Sequence, residues 1–269
     1  MRPDIVNLRQ FYSSRLGRKV KRRVRLLVRD YWPSEPTMHV VGVGYATPLL
    51  PLPTAVPNAT CRILALMPAP QGAIYWPVDA ENHSVLGDEL RPPFMPSSLH
   101  RVVMLHGFEH THAPDELLRI WWQLLVPGGR LLLMVPNRRG LWARFGGTPF
   151  MSGTPHTLGS LKELLNAAHF TMRDARSALF TPPSTHRFWL RGFSAIEWLG
   201  AAFVPRMGGL LVVEAEKQIY AGVRDGAATA KAKANWQAAS AMTSPSAQAN
   251  TSRNSHRDAS YSSRQACPL

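Results

Sequence analysis

Short apolar runs that alternate with segments of helical period constrain this chain more than any other feature. MHVVGV from Met38, CRILALM from Cys61, RVVMLHG from Arg101 and RLLLMVP from Arg130 are short, apolar and β-rich, and read as strands. Between the last two, PDELLRIWWQLL carries apolar residues at 117, 118, 121, 124 and 125, a helical period. Pro114 stands at its start, with Asp115 and Glu116 in its first turn, and Pro127-Gly128-Gly129 stops it. TLGSLKELLNAAHF from Thr157 is a second helix, and GLLVVEAEKQIY from Gly209 is β-rich. Strands separated by helices predict an α/β fold, a parallel doubly wound sheet with helices on both faces. Ligands of such sheets bind beyond the carboxyl ends of the strands, where the strand order reverses.

The flanks differ from this middle part, residues 36–222. In residues 1–35, Ser13 or Ser14 caps a helix in which Leu16, Val20, Val24, Leu27 and Tyr31 recur at three- and four-residue spacing, and Pro33 ends it. Arg15, Arg18, Lys19, Lys21, Arg22, Arg23, Arg25 and Arg29 surround the apolar stripe. The chain as a whole has 31 basic against 17 acidic residues, a net charge of +14. The basic helix reads either as the solvated face of an element packed on the domain or as an electrostatic footprint for RNA, DNA or an anionic surface. Residues 223–269 are dominated by Ala, Ser, Asn, Gln and Thr and read as a disordered tail. No run is long enough for a transmembrane helix, and the N-terminus MRPDIVNLRQ lacks a signal-peptide core. The two cysteines, Cys61 and Cys267, exclude a disulfide scaffold and a cysteine-built zinc site, and a cytoplasmic location is expected.

One strand end carries a glycine pattern. VVGVGYATPLL, residues 40–50, runs a β-branched strand into Gly42 and Gly44, then Ala46 and Pro48. Further on come Gly87-Asp88, Pro93-Phe94, Phe108-Glu109-His110, Pro127-Gly128-Gly129 and the apolar run Leu131 to Val135. In that order and spacing, the stretch 84–137 resembles the second half of a class I S-adenosyl-L-methionine (SAM) methyltransferase of the type 11 group. The resemblance covers most of residues 5–222. It implies a Rossmann-like, seven-stranded sheet, mostly parallel, with the last strand near 210–219 inserted antiparallel. It also implies SAM-dependent methyl transfer to an unknown acceptor.

The resemblance places the cofactor at particular residues. Gly42 stands where the family has an acidic residue, and Gly44, Ala46 and Pro48 stand where it has glycines that let the backbone approach the ligand. Met67 stands where a carboxylate holds the ribose. Asp88 and Glu89 stand where the family contacts the adenine. His106, at the end of RVVMLHG, completes the candidate set of Gly42, Gly44, Ala46, Met67, Asp88, Glu89 and His106. Since two acids are missing, the competing reading is a catalytically degenerate methyltransferase fold that binds nucleic acid or an anionic surface. The spacing of His106, His110 and His112 falls at a strand end without an evident fourth ligand, so no metal is expected. The segment 136–156 is long and carries Arg138, Arg139, Trp142 and Arg144. It suits either a cover over the carboxyl edge of the sheet, with an anion site, or an arginine-studded surface loop.

Overall fold

Seven strands form one mixed sheet, and its centre is where the chain reverses direction. The computed structural model describes residues 2–32, 38–51, 62–145 and 147–218. The strands are β1 Val40–Gly44, β2 Ile63–Pro68, β3 Ser84–Gly87, β4 Leu99–Leu105, β5 Leu125–Pro136, β6 Phe170–Ala178 and β7 Leu210–Lys217. Their order is β3-β2-β1-β4-β5-β7-β6. β1 to β5 are parallel, and β7 inserts antiparallel between β5 and β6. This is the expected Rossmann-like arrangement. All five residues of β1 are buried, which is why the sequence there is continuously apolar rather than alternating. The strand order reverses between β1 and β4, so the fold directs a ligand site to the ends of those two strands.

Among the described residues five α-helices flank the sheet: α1 Ile5–Ser13, α2 Arg15–Val28, α3 Pro114–Leu124, α4 Leu158–Ala167 and α5 Arg187–Phe203. On one face Leu8 and Tyr12 of α1, Leu16, Val20 and Val24 of α2, and Leu190 and Phe193 of α5 join alternate residues of the central strands, among them Val103, Leu105 and Met134. On the other face Leu117, Leu118 and Trp121 of α3 and Leu161 and Leu165 of α4 pack against Val41, Val102, Leu133 and Val213. The two side-chain sets alternate along each strand, as the pleat requires.

Several expectations are corrected. The N-terminal region holds two helices. Ser14 caps α2 by accepting the Gly17 N–H at 3.0 Å, and α1 precedes it with a single extended residue between them. α2 ends at Val28, and Tyr31 stands in a short 3-10 turn, its hydroxyl 3.0 and 2.8 Å from the carbonyls of Val102 and Arg130. Pro33 lies outside the described residues. The glycines of Pro127-Gly128-Gly129 do not stop α3, which already ends at Leu124. They form an irregularity inside β5, where the pairing steps from Leu99–Leu125 to Arg101–Arg130. Strand and helix alternate from β4 onward only. Among the described residues, the connections β1–β2, β2–β3 and β3–β4 contain no α-helix, and α1 and α2 cover that face of the sheet instead. The proposed tail, 223–269, lies outside the described residues. Among the described residues no helix is long and apolar enough to cross a membrane.

Candidate functional site

At the switch point the backbone of β1 closes on β4. Gly44 has φ +76°, and a Cβ on it would run into the Leu105 carbonyl and the backbone of His106. That conformation and that approach need glycine. The next residue, Tyr45, donates its N–H to the Leu105 carbonyl at 2.7 Å. Ala46 then opens a tight turn, its carbonyl accepting from Leu49 at 2.8 Å and Leu50 at 3.2 Å. Gly42 lies inside β1, where a Cβ would stand 2.8 Å from both the Ala46 methyl and Leu50. It makes room for the turn to fold back on its own strand, and the turn leads into no helix among the described residues.

The other candidates separate into two groups. Met67 is fully buried, and its sulfur accepts the Ile74 N–H at 3.3 Å, so its side chain belongs to the core. Asp88 is exposed, and its carboxylate accepts the Leu90 N–H at 2.8 Å, which shapes the turn after β3. Glu89 instead points inward. His106, with φ +53°, is fully buried beside the Gly44 turn. Gly107 follows it, 3.8 Å from the Gly44 Cα at the position a Cβ would take. The structure sets Gly44 against His106 and Ala46 against Gly42, links Glu89 to Gly107 through Arg2, and places Met67 in the core and Asp88 in a turn.

Residues of the N-terminus, which the sequence reading missed, meet this group. Arg2 forms a hydrogen-bonded ion pair with Glu89 and reaches the Gly107 carbonyl at 3.3 Å. Tyr12 places its hydroxyl 2.9 Å from His106 Nε2 and stacks at 5.4 Å on Tyr45. The Ile5 N–H donates to the Gln71 carbonyl at 2.7 Å, so the start of α1 is pinned beside the end of β2. Phe150, from the segment 136–156, lies 4.8 Å from the His106 ring and 6.0 Å from Phe11. Trp142 of the same segment is fully buried and donates its indole N–H to the Thr181 carbonyl at 2.7 Å, while Arg138, Arg139 and Arg144 stay outside. The carboxyl edge is thus filled by the chain's own side chains.

A charged centre lies beneath this cover. Glu109 is buried, with His106 Nδ1 at 3.4 Å and His110 Nε2 at 4.0 Å from one carboxylate oxygen. Burial alone would raise its carboxyl, but the contact with His106, then His110, outweighs it and holds Glu109 below the ordinary carboxylate value. His110 is pushed down to about 4, chiefly by burial, with Arg2 adding to the effect and Glu109 opposing it. Burial raises Glu89 despite Arg2, and it raises the Tyr12 phenol, with Tyr45 and Glu109 adding to it. Tyr12 Oη and His106 Nε2 share a hydrogen bond, and the other ring nitrogen, Nδ1, faces Glu109. Tyr12, His106 and Glu109 form one chain of polar contacts through the closed edge. Among the described residues, no group of three His, Cys, Asp or Glu side chains has the arrangement of a metal site.

Neither a protein-family model nor a curated protein sequence matches the chain. Solved structures do. A SAM-dependent methyltransferase from Thermotoga maritima is 14% identical, covers 80% of this chain and 96% of its own, and superposes with a TM-score of 0.53. A methyltransferase of Haloferax volcanii, solved with the Trm112 activator, is 16% identical over 80% and 99% of the two chains, with a TM-score of 0.50. A SAM-dependent methyltransferase from Mesorhizobium loti is 12% identical over 77% and 99%, with a TM-score of 0.50. The fold is that of the SAM-dependent methyltransferases. At this edge Tyr12 and Phe150 stand on His106 and Arg2 pairs with Glu89.

Proposed function

We propose that this chain is a SAM-dependent methyltransferase of the type 11 kind whose own N-terminal segment competes with the cofactor. The methyl acceptor is not identified by the site. The observation that carries the reading is that Gly44, Glu89 and His106 are covered by the segment Arg2–Ser13, which precedes the sheet and is joined to α2 through one extended residue, Ser14. The segment precedes β1 and contributes no strand, so it can leave without unthreading the sheet. Its departure would free the inward carboxylate of Glu89, the backbone of Gly44 and Gly107, and the His106–Glu109 pair at the ends of β1, β3 and β4.

Magnitudes fix what this closure does to affinity. Withdrawing α1 exposes Leu8 and Tyr12, each worth about 1.5–3 kcal/mol of burial, so closure is favoured by roughly 3–6 kcal/mol. Apparent affinity falls in proportion to the open fraction, about 10²–10⁴-fold. An intrinsic Kd near ~1 μM would read as about 0.1–10 mM. A second reading, a methyltransferase fold that has lost cofactor chemistry and serves as a binding module, is favoured by Met67, whose sulfur is committed to the core where a ribose carboxylate would stand.

Calorimetric titration with SAM and S-adenosylhomocysteine tests both. Arg2→Glu sets like charges against Glu89 and should open the segment while circular dichroism keeps the sheet signal. Expected is weak or undetectable binding to the wild type and a Kd at least tenfold tighter in the variant. Tight binding by the wild type, unchanged in the variant, removes the competing role of Arg2–Ser13. No binding by either protein, with the fold intact, leaves the binding module.

A further inference from the structure

We propose that the outer face built by α2 and α5 docks on an anionic lipid bilayer. This face is open, whereas the carboxyl edge is filled. In α5 the residues Leu190, Phe193, Glu197 and Gly200 recur at three- and four-residue spacing and turn inward. The far side of that helix should then be polar. It is not: Phe188 is 68% exposed, Trp198 69% and Phe203 77%, with Leu199 beside them and Val204 and Met207 continuing the patch. No core requirement accounts for these side chains, and an apolar surface of this size on a strongly basic chain marks an interaction site.

The charge lies next to it. α2 and α5 flank a groove of about 660 Å³ whose rim carries Arg15, Arg18 and Arg22 from α2 and Arg187 and Arg191 from α5. Its floor is apolar, with Leu190 and Phe193. The two helices are held as one platform. Glu197, buried under α5, accepts the N–H groups of Leu179 and Thr181 at 2.9 and 3.0 Å, and Arg23 of α2 approaches its carboxylate to 3.4 Å. A rigid surface with arginines beside exposed aromatic and aliphatic side chains matches both halves of a bilayer interface: phosphate headgroups on the arginines, the boundary of the acyl region on Phe188, Trp198 and Phe203. A nucleic acid would use the arginines but leave Leu199, Val204 and Met207 in water, so the bilayer is the occupant these residues favour.

Flotation of the full chain with phosphatidylcholine vesicles, with and without phosphatidylglycerol, tests the proposal. Expected is binding only to the anionic vesicles, weakened several-fold by high salt through screening of the arginines. Trp198→Glu with Phe203→Glu should weaken partition at least tenfold while melting temperature stays the same. Arg187→Glu with Arg191→Glu should do likewise, since each basic side chain near such a surface contributes about fivefold. Equal binding to neutral and anionic vesicles, or anionic binding unaffected by the Trp198/Phe203 pair, overturns the proposal. So does a concentration-dependent dimer that this pair dissolves, or duplex RNA bound while vesicles are not. None of these outcomes depends on whether SAM binds.

Discussion

The carboxyl edge of the sheet and the outer face of α2 and α5 treat the same kinds of side chain in opposite ways. At the edge, aromatic rings and charges are buried together: Tyr12 on His106, Phe150 on the same ring, Arg2 on Glu89, and Glu109 under its histidines. On the outer face, aromatic rings and arginines stand in solvent side by side. Burial makes the edge expensive to disturb, because a buried polar group that loses its partner cannot turn to water. Exposure makes the outer face cheap to change and available to something else. The difference separates residues that hold the molecule together from residues free to meet a partner, and it makes graded predictions.

The largest effect belongs to Gly44→Val. The left-handed φ and the overlap of a Cβ with the Leu105 carbonyl add backbone strain to overpacking, together about 2–6 kcal/mol. The glycine needed for close approach to a ligand is needed first for β1 to meet β4, so loss of cooperative unfolding is expected, visible in a urea titration. A variant as stable as the wild type would show that the turn relaxes and that the edge is loosely built. Tyr12→Ala comes next. It empties a buried ring site and strands His106 Nε2, and should cost about 3–4 kcal/mol, against about 1 kcal/mol for Tyr12→Phe, which keeps the ring. If the two variants cost the same, the hydroxyl rather than the packing holds α1 on the sheet.

How much of this was legible in the sequence follows from how local the signal is. α3 and α4 stand where their period and caps put them, with Pro114 at the start of one and Thr157 capping the other. β5 and β7 are apolar enough to be read on sight. The pair α1 and α2 was not separable, because one extended serine divides two helices and Ser14 is the cap of the second. α5 is hard to read because the inward stripe of Leu190, Phe193, Glu197 and Gly200 contains a glutamate and a glycine while Phe188, Trp198, Leu199 and Phe203 are apolar on the outside, the same property that makes its outer face unusual. The contacts that define the edge were out of reach. Tyr12 and His106 are 94 residues apart, Arg2 and Glu89 are 87, and no spacing rule links them. The resemblance to methyltransferases placed Gly44, Glu89 and His106 near one another and could not show that Arg2 and Tyr12 meet them. It could not show that Gly42 makes room for the Ala46 turn, that the Met67 sulfur accepts the Ile74 N–H, or that the Asp88 carboxylate accepts the Leu90 N–H.

Acid should loosen the edge before it touches the outer face. His110 ionises near 4 in the fold, against 6.5 for an ordinary histidine. Between those values the unfolded chain binds a proton that the fold excludes, so stability is fully present above about pH 6.5 and declines as pH falls toward 4. Burial also lowers His156, in the same direction, so its effect adds. The loss from His110 is about 2–3 kcal/mol, the depression converted at about 1.4 kcal/mol per unit and reduced for partial solvent access. Glu109, held below its ordinary value, adds its own loss only at lower pH still. Urea midpoints measured across this range should fall with pH in the wild type and flatten in His110→Gln. An unchanged slope in the variant would move the proton-linked group elsewhere.

The smallest effect on stability is expected where the largest effect on binding is. Trp198→Gln removes a large aromatic side chain, a change that in the core would cost several kcal/mol. Here the ring is 69% exposed, on the side of α5 away from the stripe formed by Leu190, Phe193, Glu197 and Gly200. Gln is at least as good a helix former as Trp, so the intrinsic term does not oppose the change. The expected shift is within about 0.5 kcal/mol in either direction, as for an ordinary surface substitution. A loss of 2 kcal/mol or more, roughly what burial of an apolar side chain is worth, would mean that Trp198 is covered in solution. The outer face would then already have its partner, from this chain or a second copy. If that loss disappears on dilution the partner is a second copy, and if it persists the cover comes from the same chain.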